Sequence, residues 1–297
     1  MRTPARFRYT PPAVVAFLAL VLASCGGDTT SPTSATTPPS LAAPTDGLVS
    51  PAAENIGGKY EVDGRELAIS CEGSGSPTFV IEGGEGMSMS DFSGLRAELA
   101  TRGTACTYSR AAVSGGTVDG EQVVADLNAL LGMAEVPRPL VLVGHSAGGM
   151  FVQLHARLHP ADVLGVLSMN PVPPWEQWQT EAFPAMNEEE RAAETAYFSG
   201  DNGESLDYAT TSEQIDSAPA PSEMPFHLVV SDETQCHGDS LCERVAPAYE
   251  SIMRDVTEAW PRGQLAVVPA SHEIFRDDVQ AILDAVDHIL ADVAGVP

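Results

Sequence analysis

Along most of this chain, short apolar runs sit between polar, glycine-containing turns and alternate with segments of helical spacing. Tyr60–Val62 and Glu66–Cys71 alternate in polarity around Asp63-Gly64, which predicts a hairpin. Thr78–Ile81 is a third strand, running into Glu82-Gly83-Gly84-Glu85-Gly86. Phe92–Ala100 has helical spacing and stops at Arg102-Gly103. Ala105–Tyr108 is a further strand, and Glu121–Leu131 an amphipathic helix with Val123, Leu127 and Leu130 on one face. The run Pro139-Leu-Val-Leu-Val143 is apolar throughout, as a strand covered on both faces must be, and helix-like sequence follows through Leu158. Leu164–Met169, Phe226–Val230 and Leu265–Val268 complete the set of strands, and Asp278–Val293 reads as a closing helix. This alternation predicts an α/β domain from about residue 57 to residue 297, with a mostly parallel eight-stranded sheet flanked by helices.

One segment breaks the rhythm. Between Met169 and Pro225 no strand pattern occurs, only Trp175, Trp178, Phe183, an Asn187-capped helix over Glu188–Phe198 and a polar Gly/Ser/Asp loop. Aromatic residues placed directly after a strand end predict a small lid, at about residues 171–224, because ligand sites in open α/β sheets lie beyond those ends.

The N-terminus belongs to no core. Arg2, Arg6 and Arg8 precede an apolar run from Ala13 to Leu22, too short to span a bilayer and suited to a signal peptide over residues 1–24. The run ends in Leu22-Ala23-Ser24-Cys25-Gly26, which resembles the bacterial lipobox. That resemblance implies cleavage before Cys25, lipid attachment to its sulfur, and a protein anchored to the outer face of the cell membrane. Residues 25–56 are rich in Ser, Thr, Pro, Gly and Ala without a hydrophobic period, and read as a flexible tether.

A formal charge of −26, from 15 basic and 41 acidic side chains, argues against nucleic acid or anionic headgroups as partners. With Cys25 as the lipid site, four cysteines remain, and an even count in an exported chain predicts disulfides. Cys71 and Cys106 fall on neighbouring predicted strands and Cys236 and Cys242 bracket one loop, so Cys71–Cys106 and Cys236–Cys242 are the expected pairs. No CxxC pair exists to hold zinc, and neither a metal nor a cofactor is expected.

The most specific chemical signal is Gly144-His145-Ser146-Ala147-Gly148, set between a strand and a helix. In that context Ser146 sits on a strained turn, its hydroxyl clear of the sheet and the free N–H groups of a helix start behind it. A serine needs a base, and His272, in the loop between the last strand and the last helix, is the candidate. The other histidines lie on helices, inside a strand or, for His145, at the variable elbow position. The oxyanion donors are expected to be the N–H groups of Ala147 and of Glu85 in the glycine turn after the third strand.

With these residues in view, the chain resembles the α/β-hydrolase superfamily. It is most similar to a bacterial branch with a Gly-Ser-Pro-Thr-x-Val-x-Glu-x-Gly start, a Tyr-Asp-Arg-x-Gly segment and Val-Gly-His-Ser-x-Gly-Gly. Here these read Gly75–Gly84, Tyr108-Ser109-Arg110-Ala111-Ala112 and Val143–Gly149, so Ser109 and Ala112 depart from the pattern. In such relatives the triad acid follows one of two strands. After the first this chain has Met169-Asn170-Pro171, and after the second Val230-Ser231-Asp232-Glu233. Asp232 is the preferred acid, with Glu233 beside it; Asp239, or Asn170 as a neutral orienter, are the alternatives. The resemblance implies a serine hydrolase that cleaves a carboxylic ester of a small molecule through an acyl-enzyme on Ser146. A peptidase or amidase of the same fold, or a non-catalytic envelope lipoprotein, are the rival readings. Epoxide or haloalkane hydrolysis is disfavoured, because relatives of those types carry Asp at the nucleophile position.

Overall fold

The computed structural model describes residues 56–110, 115–232 and 236–295. The signal peptide, Cys25, nearly all of the tether, Ala112 and Glu233 therefore lie outside the described residues. Eight strands form one sheet: β1 (Gly57–Val62), β2 (Arg65–Gly73), β3 (Thr78–Glu82), β4 (Thr104–Ser109), β5 (Leu140–His145), β6 (Val163–Met169), β7 (Pro225–Ser231) and β8 (Arg262–Val268). Their order is β1-β2-β4-β3-β5-β6-β7-β8, antiparallel from β1 through β4 and parallel from β4 onward. The β1–β2 hairpin turns at Asp63-Gly64, both with positive φ (47° and 75°), the geometry that a tight hairpin with right-handed strand twist demands.

Side-chain alternation explains why the central strands are apolar at every position. Val80, Leu140, Leu142, Val166 and Leu228 face one core, beneath α2 (Gly120–Met133), α3 (Ala147–Leu158) and α7 (Ser240–Glu258). Phe79, Ile81, Val141, Val143, Leu167 and Val229 face the other, against α1 (Ser93–Leu99), the single turn α8 (Ile274–Asp277) and α9 (Val279–Ala294). Every residue of β5 is buried, as two-sided coverage requires. The disulfide Cys71–Cys106 joins directly opposed residues of β2 and β4, and Cys236–Cys242 closes the loop that leads into α7.

Between β6 and β7 the inserted segment is more helical than the pattern suggested. It holds α4 (Trp175–Glu181), α5 (Glu188–Phe198) and α6 (Tyr208–Ser217). The Asn187 cap on α5 is a reciprocal capping box with Glu190. Part of the expected polar loop is α6, capped by Asp207, which accepts from Thr210 N–H; Tyr208 and Thr211 provide its buried anchors. The long helix α7 has no counterpart among the expected elements either. Pro247 lies within it, and a proline in the sequence masks the spacing of Val245, Ile252 and Met253. The 3-10 turn Met89–Phe92 leads into α1, which occupies the expected helix over Phe92–Ala100 apart from one residue at each end.

Three buried histidines carry an energetic consequence. Burial lowers His145 and His227 to about 4 and His155 to about 3. Among the described residues His155, 1% exposed, has no hydrogen-bond partner at either ring nitrogen. Because the unfolded chain protonates these rings near 6.5, it binds more protons than the fold throughout that interval. Their contribution is therefore complete above pH ~6.5 and is lost as pH falls toward ~4. A His155→Leu variant is expected to melt above the parent at pH 5, with the gap narrowing at pH 7.5. An equal gap at both values, measured by thermal denaturation, would mean that the ring is not held neutral.

Candidate active site

Closely packed backbone surrounds Ser146. From Leu140 to Met150 every residue is buried except Ser146. It sits between β5 and α3 at φ 55°, ψ −120°, a conformation that a non-glycine residue keeps only when its surroundings over-determine it. Those surroundings are visible. Ser146 N–H donates to Met169 O (2.9 Å), and Ser146 O accepts from Gly149 N–H (2.9 Å) and Val172 N–H (3.3 Å). A Cβ on Gly148 would lie 2.1 Å from Glu82 O, and one on Gly144 2.3 Å from Gly148 O, so only glycine lets the turn close against β3.

Ser146 and His272 line one cleft of about 380 Å³. The inserted segment supplies Trp178, Tyr197 and Phe198 to its walls, and α7 supplies Val245 and Tyr249. Two carboxylates, Glu194 and Asp239, line it too, and among the described residues no lysine or arginine does. Glu194 accepts from Trp178 Nε1–H (2.9 Å), and Tyr249 O–H donates to Pro171 O (2.8 Å), which fixes the two aromatic walls. The cleft can therefore hold a modest, largely apolar group, neutral or positively charged, against a serine hydroxyl.

His272 lies in the loop between β8 and α8. Its side chain is open to solvent at one edge, yet the protein packed around it lowers its pKa below the ordinary 6.5. Its backbone is held from three sides. The carbonyl O of His272 accepts from His145 Nε2–H (2.9 Å) and from Asn170 Nδ2–H (3.0 Å), while Ser231 Oγ–H donates to Ser271 O (2.6 Å). A carbonyl can only accept, so the neutral His145 carries its proton on Nε2. Its ring centroid lies 4.9 Å from that of His272. The variable elbow position thus has a structural task that its place in the sequence did not reveal.

Asn170 follows β6 with φ 42° and is 2% exposed. Its Oδ1 accepts from Ser231 N–H (2.8 Å), and its Nδ2–H groups donate to Ser231 Oγ (2.7 Å) and to His272 O. Among the described residues, its hydrogen bonds go to the backbone of the histidine loop and to Ser231, not to the imidazole. Asp239 caps α7, accepting from Leu241 N–H (2.8 Å) and Cys242 N–H (3.0 Å), so its carboxylate is engaged in the helix start. Asp232 stands immediately beyond β7, where its N–H donates to Val268 O (2.9 Å) at the end of β8, three residues before Ser271. Ala147 opens α3 behind the serine.

Glu85 lies in the loop after β3, and that loop touches the nucleophile: a Cβ on Gly84 would lie 3.1 Å from Ser146 Cβ and 3.0 Å from His145 Nδ1. Sequence reasoning missed what surrounds this loop. Arg110, directly after β4, donates through Nη1 to Glu82 Oε1 (2.7 Å) and Gly83 O (2.6 Å), and through Nη2 to Gly84 O (2.7 Å). Tyr108 O–H donates to the other oxygen of Glu82. Burial raises the Glu82 carboxyl, and the Arg110 guanidinium opposes that rise. Burial also works against the charge of Arg110, but Glu82 and Glu204 outweigh it and keep its pKa above the usual range.

The geometry of Asn170 yields a direct test. An aspartate there would set a carboxylate oxygen against His272 O in place of a donor. Asn170→Asp is therefore expected to lose roughly 1–3 kcal/mol at pH 7.5, the usual cost of a buried unpaired polar group. Urea unfolding would measure it, and undiminished stability would contradict the arrangement.

No protein-family model matches the chain, and no curated protein matches it. Many solved structures do. A probable hydrolytic enzyme from Pseudomonas aeruginosa superposes with TM-score 0.55 at 16% identity, covering 79% of this chain and 93% of that one. An alpha/beta hydrolase fold protein from Burkholderia ambifaria gives 0.54 at 18%, covering 78% and 97%. A haloalkane dehalogenase from Agrobacterium tumefaciens gives 0.57 at 13%, covering 81% and 98%. At such identities the likeness speaks for architecture alone: the chain has the α/β-hydrolase fold.

Proposed function

We propose that this protein is a serine hydrolase that cleaves carboxylic esters of small molecules by acyl transfer. The observation that carries this reading is Ser146, the one unburied residue of a strained, wholly packed turn, opening into the same cleft as His272. A binding protein has no physical reason to retain such strain. Ser146 Oγ attacks the substrate carbonyl while His272 takes its proton, and the N–H groups of Ala147 and Glu85 stabilise the oxyanion. The histidine then protonates the leaving alcohol, and water releases the acyl group by the reverse sequence. Asp232, immediately beyond β7, or Glu233, the next residue in the sequence, is the carboxylate we assign to the imidazolium. Esters are preferred to amides because nothing in the chain marks a peptide-binding domain.

On this reading, Ser146→Ala and His272→Ala each lower kcat for a short-chain p-nitrophenyl ester by about a thousand-fold or more with little change in melting temperature. Because His272 must be neutral to act as base, activity falls as pH drops through its pKa. With that pKa lowered, the acid limb of kcat/KM is expected below pH 6.5. Equal turnover by the Ser146→Ala enzyme would rule out the mechanism.

We further propose that the domain works outside the cytoplasm, tethered through a lipid on Cys25. The two disulfides support an oxidising compartment. In a bacterial host, Cys25→Ala is expected to shift the protein from the membrane to the soluble fraction. Unchanged membrane association would overturn the anchor.

A further inference from the structure

The loop Gly83–Gly86 and the loop joining α5 to α6 hold each other through exchanged carboxylates. Glu85 reaches from the first loop into the insert, where Oε1 accepts from Gly203 N–H (2.6 Å) and Oε2 from the hydroxyls of Tyr197 (2.9 Å) and Tyr208 (3.1 Å). Glu204 reaches back from the insert, accepting from Gly86 N–H and, with both oxygens, from Arg110 Nε–H and Nη2–H (2.8 Å each). Arg110 lies beneath both loops, its side chain only 10% exposed, with its fork divided among two carboxylates and two backbone carbonyls. Burial pushes the Glu204 carboxyl upward, but the hydrogen bonds and charge of Arg110 prevail and leave it below the usual range.

The peptide bond turns this clasp into a positioning device. In a planar trans peptide the C=O and the following N–H point in opposite directions. Arg110 holds Gly84 O toward itself, so the N–H of Glu85 in the same peptide unit points away from the guanidinium. Gly84 lies against Ser146 and His145. Among the described residues no acceptor takes the Glu85 N–H. We infer that Arg110, Glu204 and the Glu85 carboxylate together position the Glu85 N–H for the oxyanion, and that the insert is thereby part of the catalytic apparatus rather than only a wall of the cleft. This inference rests on the acyl-transfer reading proposed above. It makes Arg110 and Glu204 positioning residues, acting on the transition state through a backbone donor that neither of them contacts.

A donor that engages only the developing oxyanion affects kcat and leaves ground-state binding alone. The experiment is steady-state hydrolysis of a short-chain p-nitrophenyl ester by the parent, Ser146→Ala, Glu204→Ala, Glu204→Gln and Glu85→Gln proteins. Glu204→Ala is expected to lower kcat by roughly 10- to 100-fold, the scale set by a misplacement of about 1 Å, with KM within about two-fold. Glu204→Gln keeps an acceptor for Gly86 N–H without the charge and is expected to fall between the parent and Glu204→Ala. Should Glu204→Ala not fold, Glu85→Gln, which weakens the other half of the clasp and keeps its own N–H, carries the same expectation of a lower kcat at constant KM. A parent-like kcat in the folded variants, or a raised KM at unchanged kcat, would overturn the clasp while leaving the serine mechanism intact. Equal activity of the parent and Ser146→Ala would instead sink the acyl-transfer reading, and this inference with it.

Discussion

A serine whose backbone no unconstrained chain would choose organises this molecule. Ser146 keeps φ at 55° because Met169 of β6, Gly149 of α3 and Val172 beyond β6 bind its N–H and C=O, and because Gly148 lies on the carbonyl of Glu82 without a Cβ between them. Each of those contacts needs a neighbouring strand in register. The parallel pairing of β3, β5 and β6 supplies it, with Glu82 opposite Gly144 and His145 opposite Met169. Ser146 is half-buried and lines the cleft, while its neighbours from Leu140 to Met150 are buried.

Two sets of polar contacts extend outward from that turn. On one side Asn170, His145 and Ser231 hold the backbone of the histidine loop, and on the other Arg110 and Glu82 hold the glycine loop. In both sets side chains bind backbone carbonyls of the loop they hold: His272 O and Ser271 O in one, Gly83 O and Gly84 O in the other. The Glu82–Arg110–Glu204 cluster is also a hazard, since removing one partner leaves a charge buried. Such a loss commonly costs about 3–5 kcal/mol. That is a reason to read Arg110 variants for stability before reading them for rate, and a reason that the more exposed Glu204 is the better probe.

The sheet was legible because its strands are covered on both faces and carry unbroken apolar runs, and the elbow because its glycines flank a serine between a strand and a helix. Helix α5 is legible through its Asn187 cap. Other parts depend on distance in the chain. Asn170, His145 and Ser231 reach the histidine loop across 102, 127 and 40 residues, and nothing local marks them as partners. Glu204 lay in a stretch read only as polar loop, and its meaning comes from Arg110, 94 residues away. Helix α7 was hidden by Pro247 and by a cysteine pair that drew attention to the loop before it. Only their place after a strand-like run, a rule about topology, marks Asp232 and Glu233 in the sequence, and Glu233 lies outside the described residues.

The most direct test of the central claim is the site of covalent modification. The purified domain, treated with a fluorophosphonate, is digested and mapped by mass spectrometry. The account predicts one adduct, on Ser146, formed rapidly by the parent protein and abolished in His272→Ala. A folded protein that stays unmodified, or that is modified elsewhere while Ser146 remains free, would contradict it.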